Sequence, residues 1–244
     1  MIRSIHLLAF GLVVFVGLAF FGLPAASVIG LVGLPPGLAV SSVDGPVWNM
    51  RLSNVAYRGR AIGHAYVEPG IGILFGGFGG KARLEGPTVN ASFDFQDKEG
   101  LLLNNMDLTA QLYGRLASQS FSGAARVVDG DMSFDAGGRC VSASGELRTN
   151  AFEDMFAGIG IGRDPVITPL ACKDGVLSVD FERNFSGGTL VASGQLRAAN
   201  NVEVGVTLRF DDQAAIPEQI IGWLEANGFS ATVDGWQTST TLVM

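Results

Sequence analysis

The chain has 244 residues, 48% of them hydrophobic and 16% charged, and a formal net charge of −7. That balance excludes binding to a polyanion, which needs a basic stripe to neutralise phosphates, and no such stripe is visible. Setting aside an N-terminal apolar segment leaves about 200 residues, enough to bury a core without a metal.

From Ile5 to Leu23 the chain reads IHLLAFGLVVFVGLAFFGL, with no formally charged residue. About 20 apolar residues suffice for a helix to cross a bilayer. Arg3 and the α-amino group precede this run and the first charge after it is Asp44, so the positive-inside bias places the N-terminus in the cytoplasm. A cleaved signal peptide is the competing reading, since Ala25, Ala26 and Ser27 follow. The apolar run is longer than a signal peptide needs and resumes from Val28 to Leu34, which favours a retained anchor. Leu34-Pro35-Pro36-Gly37 then reads as a stiff exit, because neither proline can continue a helix. The expected organisation is a cytoplasmic tip and transmembrane anchor over 1–24, an exit linker over 25–37, and a β-rich domain over 38–244.

Period-2 alternation marks half-buried strands through that domain. Val89, Ala91, Phe93 and Phe95 alternate with Asn90, Ser92 and Asp94. Leu177, Val179 and Phe181 alternate with Ser178 and Asp180, and Val202, Val204, Val206, Leu208 and Phe210 share one face of a further strand. The 34 glycines lie at turn-like intervals, against an ordinary share of about 7%. Together they predict a mainly β fold, an elongated antiparallel meander shaped as an open barrel or taco, with a few short helices. One helix is expected over 151–159 after Asn150 as N-cap. A second is expected from Ile216 to Ala226, with Pro217 in its first turn and Asn227-Gly228 as its stop. Its stripe of Ile216, Ile220, Trp223 and Leu224 reads as core packing. A hairpin-like unit also echoes itself: Asp129-Gly130 and Asp174-Gly175 each open a similar turn and strand, and Val141–Arg148 resembles Val191–Arg197.

Chemistry is harder to find. His64 and Glu68 on a strand lie too far apart to share a metal. Cys140 and Cys172 lack close-spaced partner ligands, so a zinc site is not expected. There is no G-x-S-x-G elbow to present a nucleophilic serine, and Asp211-Asp212 reads as a solvated turn. No enzymatic activity and no cofactor are expected. An oxidising compartment favours a disulfide between Cys140 and Cys172; the alternative is two buried thiols. The Gly-rich stretch from Gly70 to Lys81 fits no nucleotide motif, since Phe75 stands where a P-loop needs Gly and Ala82 where it needs Ser or Thr. Its Ile71, Leu74, Phe75 and Phe78 read either as a contact with membrane or lipid or as a plug at one end of the sheet.

The order of features resembles the type II secretion system protein N family. The resemblance rests on the short tip, the single anchor, the Leu34-Pro35-Pro36-Gly37 exit, and Val43-Asp44-Gly45-Pro46-Val47-Trp48. The last is similar to a family strand motif, here carried by Gly45, Val47 and Trp48, with Pro46 in place of the usual Thr. Tyr66-Val67-Glu68-Pro69, Ile73-Leu74-Phe75-Gly76, Ile221-Gly222-Trp223-Leu224 and Asp234-Gly235 continue the ordered set. The resemblance implies an accessory protein of the inner membrane, its β-domain in the periplasm and its partners the other inner-membrane secretion subunits. The cysteine pair suits that compartment. A second possibility is a lipid- or glycolipid-handling sheet, which would leave Val204, Val206 and Phe210 lining an open trough.

Overall fold

Alternating apolar and polar residues give each strand one dry face, and frequent Gly, Asn and Asp let the chain reverse tightly between strands. The computed structural model describes residues 22–34, 36–70, 72, 77–97, 99–116, 119–151, 165–198 and 201–243. They form antiparallel strands with two short α-helices, in two compact units, one ending at Lys98 and the other beginning at Glu99. The β-rich stretch 38–244 is thus divided between them. The anchor segment before Gly22, and all but the first residue of the helix expected over 151–159, lie outside the described residues.

In the first unit, helix α1 (Ala25–Val32) precedes strands β1 (Leu38–Ala39), β2 (Ser42–Asp44), β3 (Met50–Tyr57), β4 (Arg60–Pro69), β5 (Phe78–Glu85) and β6 (Val89–Asp97). The order is β1-β3-β4-β5-β6, with β2 also paired to β3. Leu52, Val55 and Ala65 form a small core, against which Ile29 of α1, Val43, Val67 and Leu84 pack. The alternation read in β6 holds, with Ala91 and Phe95 buried and Asn90 and Ser92 exposed.

The second unit is a longer meander: β7 (Gly100–Leu116), β8 (Gln119–Asp135), β9 (Cys140–Thr149), β10 (Val166–Lys173), β11 (Val176–Phe185), β12 (Gly188–Ala198) and β13 (Asn201–Phe210). Helix α2 (Glu218–Ala226) follows, then β14 (Ser230–Thr232) and β15 (Gly235–Val243), with β15 pairing with both β13 and β14. The sheet curls far enough that Phe121 of β8 joins one core with Leu190, Ala192, Val204, Val206 and Leu208 of β12 and β13. Leu224 of α2 is fully buried in that core, and Ile220 and Trp223 pack against it. The stripe on α2 is therefore core packing, as its spacing predicts. Pro217 precedes the first helical residue, and Gly228 at φ +72° follows the last turn.

The echo between Asp129-Gly130 and Asp174-Gly175 is not structural. Asp174 and Gly175 both take positive φ in a two-residue hairpin turn between β10 and β11. Asp129 also has positive φ, but it sits inside β8 at a register shift between Val128 and Asp131, which makes it a β-bulge. Ser178 departs from its expected wet face and is 1% exposed. Its hydroxyl donates to the Val176 carbonyl at 3.3 Å, and Lys173 pairs with Asp180 on the neighbouring strand.

Candidate functional site: a clasp at the start of the β-structure

Gly45, Val47 and Trp48, expected to continue a strand, instead form the turn between β2 and β3. The strand ends at Asp44 because Gly45 takes φ +86°, a left-handed conformation that suits glycine. A Cβ at Gly45 would also lie 2.4 Å from the Asn49 carbonyl oxygen. The turn then closes through the Asn49 N–H, which donates to the Pro46 carbonyl at 3.0 Å.

This turn grips the chain just after the apolar N-terminal run. Pro24 and Pro46 form an isolated antiparallel bridge. Neither proline has an N–H, yet the bridge needs none from them. In this non-hydrogen-bonded type of pair the flanking residues supply the bonds. Ala25 N–H donates to Gly45 O and Val47 N–H donates to Leu23 O, both at 3.0 Å. Ala25 is fully buried and Ile29 reaches the small core, so α1 lies against the sheet rather than standing off it as a linker. Nothing in residues 23–25 alone announces this clasp, because its partner lies 22 residues further along the chain.

Cys140 and Cys172 are joined in a disulfide with a Cα–Cα distance of 5.5 Å. Beside it, Asp135 accepts from the Gly137 and Arg139 backbone N–H groups and from Arg139 Nε, at 2.8–2.9 Å. These bonds, led by the Arg139 backbone N–H, hold the Asp135 carboxyl below its ordinary pKa. On the outer face, Asp107 accepts from Arg126 Nη2 at 2.8 Å, which raises the Arg126 pKa further.

The remaining sequence candidates do not converge. Ile71, Leu74 and Phe75 lie outside the described residues. Phe78 opens β5, 53% exposed, its ring tilted against Phe95 at 5.5 Å between centroids. Of the Gly-rich stretch, the described residues Gly70, Gly72, Gly77 and Gly79 continue the β4–β5 pairing, with Gly70 N–H bonded to Gly79 O and Gly77 N–H to Gly72 O. His64 lies opposite Glu85 with a buried Nδ1 that has no hydrogen-bond partner. Asp212 caps a single 3-10 turn by accepting from the Ala214 N–H, and both it and Asp211 are exposed, as a solvated turn requires. Among the described residues no three His, Cys, Asp or Glu side chains group to hold a metal. Among them, too, no helix is long and apolar enough to cross a membrane.

No curated protein and no solved structure matches this chain. The model of the family described as type II secretion system (T2SS), protein N, matches residues 36–238. The match runs from the end of the exit sequence through both units and into β15, so the chain belongs to the type II secretion system protein N family.

Proposed function

We propose that this protein is an accessory component of a type II secretion system, held in the inner membrane by residues 5–23 and acting through protein–protein contacts in the periplasm. The family match carries this reading. The uncharged run of 19 residues from Ile5 to Leu23 supports the anchor, being close to the ~20 residues that span a bilayer. The disulfide supports an oxidising compartment for the β-rich part. No catalytic role is part of the proposal.

The inner face of the second unit bears on how the protein works. A lipid-handling sheet would expose Val204, Val206 and Phe210 along a trough. Here Val204 and Val206 are buried with Leu224 of α2, and Phe210 packs against the same cluster. A filled face favours contact through outer surfaces. Exposed apolar side chains on β7, β9 and β10 supply such surface, with Tyr113, Val141 and Ile167 at 68%, 64% and 56% exposure.

The test is photo-crosslinking in cells from Tyr113, Val141 and Ile167 of the full-length chain, with mass spectrometry of captured proteins and lipids. Recovery of inner-membrane secretion subunits is expected. Recovery of stoichiometric lipid alone, lost on Val206→Asp in a chain that still folds, would replace the secretion reading with the lipid-handling one.

A further inference from the structure

Helix α1 has no charged residue, and both of its faces are accounted for by apolar or small side chains. One face is occupied: Ala25 is buried and Ile29 packs on the core of Leu52, Val55 and Ala65. The other is open, with Ala26, Ser27, Gly30 and Leu31 exposed at the i, i+1, i+4, i+5 spacing of a single helical face. Leu31 is 88% exposed and Leu23, just before the helix, 40%. A helix bordering water ordinarily turns charged or several polar residues outward, whereas this face carries no charge and Ser27 as its one polar side chain.

What covers that face follows from its place in the chain. The apolar run from Ile5 ends at Leu23, directly before α1, and no charge intervenes before Asp44. The clasp between Leu23–Ala25 and Gly45–Val47 fixes α1 at the point where that run ends. Beyond α1, the Gly37 carbonyl accepts from the Arg58 N–H at 2.7 Å, so the exit sequence meets the β3–β4 turn. That turn carries exposed Arg58 and Arg60, with the Arg58 guanidinium 5.4 Å from the centre of the Tyr57 ring. Tyrosine and arginine suit the headgroup layer, where an apolar body meets a polar tip.

We propose that α1 lies in the interface of a phospholipid bilayer, presenting Leu23, Ala26, Gly30 and Leu31 to lipid while Arg58 and Arg60 meet the headgroups. The inference rests on the anchor reading and goes beyond it. The first unit is seated on the membrane surface rather than suspended from it by a linker.

The test uses the full-length chain in vesicles of phosphatidylethanolamine and phosphatidylglycerol, with an environment-sensitive fluorophore on Leu31→Cys. The native cysteines are held in their disulfide and do not compete for the label. A parallel label on Val233→Cys, 96% exposed in the turn between β14 and β15, reports on water. Flotation with the vesicles establishes the anchor. In floated protein, lipids brominated near the headgroup end of the acyl chain are expected to quench the Leu31 label about twofold or more, as a shallowly buried helix face requires, and to leave the Val233 label unchanged. Floated protein with an unquenched Leu31 label overturns the interfacial helix and leaves the anchor standing. A blue-shifted but unquenched label also overturns it, and assigns the face to another segment of the chain. Failure to float overturns both readings.

Discussion

Cys172 bonds to Cys140 three residues beyond Pro169, at the point where β10 has left one neighbour for another. Val166–Pro169 pairs with Thr149–Glu146 of β9, whereas Leu170–Lys173 pairs with Val179–Val176 of β11. Pro169 has no N–H to continue a ladder, so the change of partner falls where a proline is tolerated. The disulfide, with a hydrogen bond from Cys140 N–H to Gly175 O at 2.8 Å, then ties the start of β9 to the β10–β11 hairpin where the β9–β10 ladder has ended. The bond thus joins β9 to β10 beyond the last pair of their ladder.

Removing it should therefore be costly. Cys140→Ala with Cys172→Ala is expected to lower the unfolding free energy by about 3–4 kcal/mol, the chain-entropy value for a loop of this length. Urea unfolding of the second unit's tryptophans measures it. An unchanged midpoint would mean that the ladders flanking Pro169 hold this junction unaided.

Leu224 is the deepest side chain of α2 and touches a core built from strands that are distant in sequence. Leu224→Ala is expected to cost about 2–5 kcal/mol, as for other large-to-small changes in a packed core. If α2 is what fills the inner face, the variant should also bind a fluorescent fatty-acid probe that the parent chain excludes. Equal probe binding by both chains would show that the face is closed by something other than Leu224.

Two glycine substitutions should move stability in opposite directions. At Gly86 a Cβ would lie 1.6 Å from the Ile62 carbonyl oxygen, so Gly86→Ala must displace backbone. A loss of at least about 1–3 kcal/mol is expected from that strain. Gly222, inside α2, has open space around it, and Gly222→Ala should gain up to about 1 kcal/mol of helix propensity. Thermal unfolding of both variants checks the pair; a destabilised Gly222→Ala would reveal a close neighbour for that helix face.

Asp135 offers a pH signature. Its folded pKa is lowered from 3.8, chiefly by the Arg139 backbone and side-chain hydrogen bonds. A lowered carboxylate contributes stability that is fully present above the unfolded value and lost as pH falls through the folded one. Asp135→Asn should therefore lower the melting temperature at neutral pH, with the gap to the parent chain narrowing as pH falls below 3.8. A gap that does not change with pH would mean that loop geometry, rather than charge, is the contribution of Asp135.

The alternation of Val202 through Phe210, the breakers around α2 and the mainly β character could all be read along the chain, and so could the family resemblance. These are local or ordered properties: a residue's face on a strand depends on its neighbours two positions away, and a helix stop on the next glycine. The tertiary structure alone decided which strands would meet. The same Asp-Gly pair makes a turn at Asp174-Gly175 and a bulge at Asp129-Gly130, because only the latter runs between partners on both sides that continue past it. Pro24 and Pro46 carry no donor that would announce a pairing, yet they face each other because Ala25 and Val47 supply the bonds. Such contacts join residues far apart in sequence, and their register is set by how whole strands bury their apolar faces, which no short window of sequence contains.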